Sequence, residues 1–142
     1  MSIEFQGRVA IVTGAGGGLG KQHALALAKR GAKVLVNDLG GNVHGEGGSV
    51  SAAQAVVDEI ISAGGEAIAN GANVAKFEEV LAMAEQAMAR WGRIDILVNN
   101  AGITRDATMM KMTWEQWDEV IRVDLTGCFN MAKACFPGMR TR

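Results

Sequence analysis

The sequence predicts an α/β protein with a doubly wound parallel sheet, and three observations carry that prediction. Short β-branched runs alternate with segments of helical period, the pattern of consecutive βαβ units. The runs are nearly continuous in apolar residues, as in Val9-Ala10-Ile11-Val12 and Val34-Leu35-Val36, which suits strands covered on both faces. A glycine-rich turn, Gly14-Ala15-Gly16-Gly17-Gly18-Leu19-Gly20, joins the first run to the first helical segment. The 142 residues are expected to form a single domain over 1–142, long enough to bury a core.

The elements follow in order. Arg8 to Thr13 is the first strand, and Lys21 to Arg30 the first helix, stopped at Gly31 where a left-handed residue ends a helix. Lys33 to Asn37 is the second strand, followed by a polar, glycine-rich loop from Leu39 to Gly48. Ala53, Val56, Val57, Ile60 and Ile61 recur at the spacing of an amphipathic helix. Ser51 and Gln54 are placed as its capping box, and Gly64-Gly65 as its end. Glu66 to Asn70 is a short third strand; Phe77, Val80, Leu81, Ala84 and Met88 mark a helix closed by Gly92; Asp95 to Asn100 is the fourth strand. A last helix is expected from Trp114, capped by Thr113 with Gln116, running towards Pro137. There the missing N–H and the ring should kink or end it.

Composition bounds the function. The chain is 49% hydrophobic and 20% charged with a formal net charge of −1, so it offers no basic footprint for nucleic acid or an anionic membrane. No apolar run approaches the roughly 20 residues that span a bilayer. Met1-Ser2-Ile3-Glu4 lacks the features of a secretory signal, and Met139-Arg140-Thr141-Arg142 carries no targeting tripeptide. A cytoplasmic protein is expected. Cys128 and Cys135 fall two helical turns apart, roughly 10 Å along an axis, too far for a disulfide. His23, and His44 with Glu46, have no further ligands at useful spacing, so no metal site is expected.

The glycine turn and one acid carry the chemistry. At a strand-to-helix junction, glycines permit a tight turn and close backbone approach, and the helix start presents N–H groups and a positive dipole end to a phosphate. Gly14, Gly18 and Gly20 read as GxxxGxG, and the absence of a following Gly-Lys-Ser/Thr argues against a triphosphate loop. Asp38 ends the second strand, where a carboxylate accepts hydrogen bonds from the hydroxyls of an adenosine ribose. It would repel a 2′-phosphate, and Leu39-Gly40-Gly41 supplies no Arg or Lys to reverse that preference. The expected cofactor is NAD(H) rather than NADP(H).

Thr13-Gly14, Gly18 and Gly20, taken with Asn99-Asn100-Ala101-Gly102 after the fourth strand, resemble the short-chain dehydrogenase/reductase superfamily. Val36-Asn37-Asp38-Leu39-Gly40-Gly41 is similar to the (3R)-hydroxyacyl-CoA dehydrogenase units of multifunctional β-oxidation enzymes. Asn99 through Asp106 is similar to 3-oxoacyl-carrier-protein and acetoacetyl-CoA reductases. The resemblance implies a Rossmann-type doubly wound parallel sheet, truncated after the fourth strand and the long helix that follows. It implies interconversion of 3-hydroxyacyl and 3-oxoacyl thioesters, an acyl-thioester or other ketone/alcohol substrate, and a homo-oligomer in the full-length form. Carried over, it places Gly14, Gly18, Leu19 and Gly20 on the pyrophosphate and Asp38 on the ribose. Asn73 and Val74 flank the adenine, and Asn100, Ala101 and Gly102 pass under the nicotinamide-side ribose.

The catalytic residues that the resemblance implies are a Tyr proton donor, a Lys four residues later, a Ser that polarises the carbonyl, and an Asn on the long helix. The sequence has no Tyr, and its last Ser is Ser62, ahead of the fourth strand. The chain alone is therefore expected to be inactive. Asp124 stands at the Asn position, as a catalytic candidate that would hold a relay water. With Trp117, Ile121 and Cys128 it falls at steps that place it on an apolar stripe. A carboxylate there is costly unless partnered. Trp114, Trp117, Met109, Met110 and Met112 are expected to pack. The fourth strand is expected to expose an apolar edge. The alternative function is a non-catalytic NAD-binding or dimerisation module completed by another chain.

Overall fold

The computed structural model describes residues 2–40 and 51–141. The elements are β1 (Val9–Val12), α1 (Gly18–Lys29), β2 (Lys33–Asn37), α2 (Ser51–Ser62), β3 (Glu66–Asn70), α3 (Phe77–Trp91), β4 (Ile96–Val98), α4 (Trp114–Val120) and α5 (Gly127–Arg140). A π-helical turn, Ile121–Thr126, joins α4 to α5. All strand pairs are parallel and the order is β3-β2-β1-β4. This is the α/β doubly wound sheet expected, as far as its fourth strand.

Alternation along the strands builds two cores. Ala10, Val12, Val34 and Val36 face one side and meet Ala24 of α1 with Val56, Val57 and Ile60 of α2. Ile11 and Leu35 point to the other side, against Val80, Met83 and Ala87 of α3 and Met131 and Cys135 of α5. Each fully buried aliphatic side chain of this kind contributes about 1.5–3 kcal/mol. β4 closes one edge of the sheet, and its three residues are only half-buried.

Several sequence expectations are corrected. α1 begins at Gly18, not Lys21, so the last three residues of the glycine string already belong to the helix. The last helix runs through Pro137 to Arg140; near a C-terminus the proline forfeits a single backbone hydrogen bond, which packing of the helix on the sheet offsets. The π turn adds a residue per turn and breaks the stripe anticipated from α-helical spacing. Gly127, Asn130, Met131 and Cys135 face the core, whereas Asp124 is exposed and Trp117 is 53% exposed. Met109, Met110 and Trp114 do not pack either, at 86%, 94% and 81% exposure: the two methionines lie on the segment between β4 and α4, and Trp114 opens α4, which buries none of its residues. The Thr113 and Gln116 capping box is present. The loop reading over residues 41–48, and His44 with Glu46, lie outside the described residues.

Both cysteines are free. Burial pushes the Cys135 thiol from 9.0 up to about 11. The folded chain therefore keeps a proton that the unfolded chain has released. Stability is expected to fall as pH rises from 9.0 towards about 11, by at most about 1.4 kcal/mol per pH unit. Urea titrations across that range check the sign, and the fall should be missing from Cys135→Ala. Among the described residues no helix is long and apolar enough to cross a membrane.

Candidate functional site

The carboxyl ends of β1 and β4, where the strand order reverses, form the crevice in which open α/β sheets take ligands. Thr13 fastens it. The residue is 1% exposed, and its hydroxyl donates to the Val98 carbonyl at 3.4 Å and accepts from the Asn100 and Ala101 amides, both at 3.0 Å. The chain after β4 is thereby locked to the turn after β1. Asn100 adds a side-chain bond from Nδ2 to the Gly14 carbonyl at 3.0 Å.

Two glycines are demanded by this closeness. Gly14 has φ 61°, and a Cβ on it would stand 2.8 Å from the Ala101 Cα. A Cβ on Gly20 would lie 2.4 Å from both the Gly14 carbonyl oxygen and Asn100 Nδ2, so the first turn of α1 rests directly on the glycine turn. Gly17 and Gly18 look onto open space and Leu19 is 74% exposed. α1 has no acidic residue in its first turn and no side-chain cap, leaving its N-terminal amides suited to an anion.

Asp38 leaves β2 beside this turn. Its Oδ2 accepts from the Gly16 amide at 2.8 Å and its Oδ1 from the Gly40 amide at 2.7 Å. A carboxylate offers about four lone-pair sites, so donors on a ligand can still be accepted. Behind it, buried Asn37 donates to Asn70 Oδ1 and to the Ala72 carbonyl, each at 3.0 Å, which ties β2 to the loop after β3.

In that loop Asn73 Oδ1 accepts from the Ala75 amide at 2.9 Å, and the Asn73 amide donates to Glu79 at 3.1 Å. Val74 is 5% exposed, with its side chain 2.7 Å from where a Gly127 Cβ would lie. Its carbonyl accepts from Asn130 Nδ2 at 2.9 Å. Asp124 Oδ1 accepts from the Ile103 amide at 2.9 Å and lies 3.3 Å from a Cβ placed on Gly102. The cost anticipated for this carboxylate is avoided twice over, by exposure and by the amide.

Gly14, Gly20, Asn100 and Ala101 thus meet in one cluster, Asp38 meets the turn at Gly16, and Asp124 meets Gly102 and Ile103. Thr13 and Gly16 stand in the glycine motif without a role assigned from sequence, and Asn130 is not singled out there at all. A glycine within a glycine string, and polar residues whose partners lie on distant strands, carry no local signal. A cavity of about 290 Å³ lined by Arg8, Arg93, Ile94, Asp95 and Met139 sits at the amino ends of β1 and β4, away from this crevice. Its Arg93 and Arg8 both pair with Asp95, at 2.6 and 3.6 Å. Among the described residues no group of three or more His, Cys, Asp or Glu side chains is placed to hold a metal.

The family model described as short chain dehydrogenase matches residues 8–142. The chain belongs to the short-chain dehydrogenase family. Peroxisomal multifunctional enzyme A of Dictyostelium discoideum is 49% identical over 142 residues, which are 100% of this chain and 32% of that protein. The 3-oxoacyl-[acyl-carrier-protein] reductase of Synechocystis is 50% identical over 127 residues, 89% of this chain and 48% of its own length. Among solved structures, this short-chain dehydrogenase superposes with TM-score 0.87 and 33% identity on a 7α-hydroxysteroid dehydrogenase complexed with NADH and 7-oxo glycochenodeoxycholic acid. That match covers 97% of this chain and 50% of the other. The chain spans less than half the length of the two curated relatives.

Proposed function

We propose that this oxidoreductase-family chain is the NAD(H)-binding half of an enzyme interconverting 3-hydroxyacyl and 3-oxoacyl thioesters. The observation that carries the cofactor reading is the Asp38 carboxylate, held by the Gly16 and Gly40 amides beside the open N-terminus of α1. In this reading the α1 amides and Gly14, Gly18, Leu19 and Gly20 hold the pyrophosphate. Asp38 accepts the ribose hydroxyls and disfavours a 2′-phosphate. Asn73 and Val74 flank the adenine, the latter through its backbone since its side chain is core. Asn100 and Ala101, fixed by Thr13, and Gly102 after them support the nicotinamide-side ribose.

When bound, the nicotinamide supplies or accepts a hydride. Asp124 holds the Gly102–Ile103 loop in place and stands where a relay water would be kept. A proton donor of the tyrosine type has no counterpart in this sequence, which contains no Tyr; turnover by these residues alone is expected to be nil. The thioester substrate rests on the names of the relatives and on the resemblance at Asn37-Asp38-Leu39-Gly40 and Asn99–Asp106. Homo-oligomer formation is carried over from the family in the same way. The Dictyostelium relative is named as peroxisomal, which sets a second compartment beside the cytoplasm expected from the sequence.

The test is a fluorescence titration of the 142-residue chain with NADH. Saturable binding is expected, weakened about tenfold in Asp38→Asn, the scale of charge-assisted hydrogen bonds. Adding a 3-oxoacyl thioester should leave NADH unoxidised. Failure to bind NADH would overturn the cofactor reading, and oxidation would overturn the expected inactivity.

A further inference from the structure

Gly16 is a glycine of the turn whose role backbone conformation does not explain. It is absent from the glycines of positive φ, so its backbone is one that other residues adopt. Space is what it supplies. A Cβ on Gly16 would stand 2.7 Å from Asp38 Oδ2 and 2.8 Å from the Ala52 Cβ. Asp38 Oδ2 meanwhile accepts the Gly16 amide at 2.8 Å. The carboxylate therefore lies on the bare face of this residue, in a slot closed from behind by α2.

We propose that Gly16 is a specificity-determining residue, setting preference for a dinucleotide with a free 2′-hydroxyl by letting the Asp38 carboxylate dock against its amide. The proposal rests on the cofactor reading above and extends it. Docked, the carboxylate is fixed from both sides by amides, Gly16 on one oxygen and Gly40 on the other. A pre-oriented acceptor gains the full benefit of two hydroxyl donors without the entropy of ordering itself. It also stands where a 2′-phosphate would meet a like charge at close range. A side chain at this position displaces the carboxylate, since a side-chain end yields more cheaply than helix α2. The backbone turn survives while both the attraction and the repulsion weaken. Discrimination then falls even though Asp38 is still present in the sequence.

The Ala52 contact must be separated from the Asp38 contact. Gly16→Ala alone presses on both; Gly16→Ala with Ala52→Gly relieves the helix and leaves only the carboxylate to move. Ala52→Gly alone is the control for placing a glycine in the helix, which weakens it. NADH and NADPH dissociation constants are to be measured on the chain and these variants, with folding followed by circular dichroism. The expected result is a fall of about tenfold in the NADH over NADPH preference for the double variant, approaching that of Asp38→Asn, with no such fall in Ala52→Gly. A folded double variant that keeps the original preference overturns the role of Gly16 and leaves the cofactor reading standing. An unsubstituted chain that binds neither dinucleotide overturns both.

Discussion

Gly20→Ala is expected to destabilise the protein by about 3 kcal/mol or more, the upper range for overpacking a rigid site. The added methyl would lie 2.4 Å from the Gly14 carbonyl oxygen and 3.0 Å from the Ala15 Cα. These are backbone atoms of a turn already hydrogen-bonded on both sides, through Ala15 to the Asn37 carbonyl and through Gly14 to Asn100. No rotamer change relieves the contact, so α1 must lift off the turn. Gly17→Ala provides the contrast, since a Cβ there meets nothing within 4 Å. Its effect should be about 1 kcal/mol or less, the scale of an altered N-cap. Urea unfolding of the two variants side by side checks the difference; equal midpoints would refute the close packing of α1 on the turn.

Thr13→Val is expected to cost about 2 kcal/mol. Valine keeps the shape of threonine and removes the oxygen that accepts the Ala101 amide at 3.0 Å. That amide is then left without its partner, at roughly 1–3 kcal/mol for a buried donor. The Asn100 amide suffers less because the Val98 carbonyl also accepts it, at 3.0 Å. Thr13→Ser retains the acceptor and should lose well under half as much. Hydrogen exchange gives a local readout: the Ala101 amide should lose protection in Thr13→Val and keep it in Thr13→Ser. Protection unchanged by valine would show that the hydroxyl does not fasten the chain after β4.

Strand and helix identities were legible because each rests on a local pattern. Lys33–Asn37 and Glu66–Asn70 are reproduced residue for residue, and the Thr113 capping box is a signal contained within four residues. Parallel strands covered on both faces read as continuous apolar runs, and helices as a period that survives the odd exception. Asp38 was legible as well, since a strand end followed by a turn fixes which end of the sheet it occupies. The apolar edge at β4 followed from the same logic: Ile96, Leu97 and Val98 are apolar residues, half-buried, on a strand that ends the sheet.

Long-range contact decided the remainder. The apolar stripe through Asp124 presumed one uninterrupted α-helix, and the π turn over Ile121–Thr126 moves that carboxylate out to the Ile103 amide. A one-residue widening of a helix costs little locally and is chosen by what the helix packs upon, so residue spacing does not announce it. Thr13 is visible in the sequence only as the head of the glycine motif and Asn130 looks ordinary; they become fasteners when β4 and the loop after β3 arrive beside them. Gly16 is the sharpest case. In sequence it is one glycine among several in a turn whose existence is plain; folded, it is the surface on which Asp38 rests. The turn and its acid were written in local chemistry, but a residue without a side chain cannot signal which neighbour its emptiness admits, and here packing of β2 and α2 against the turn names that neighbour.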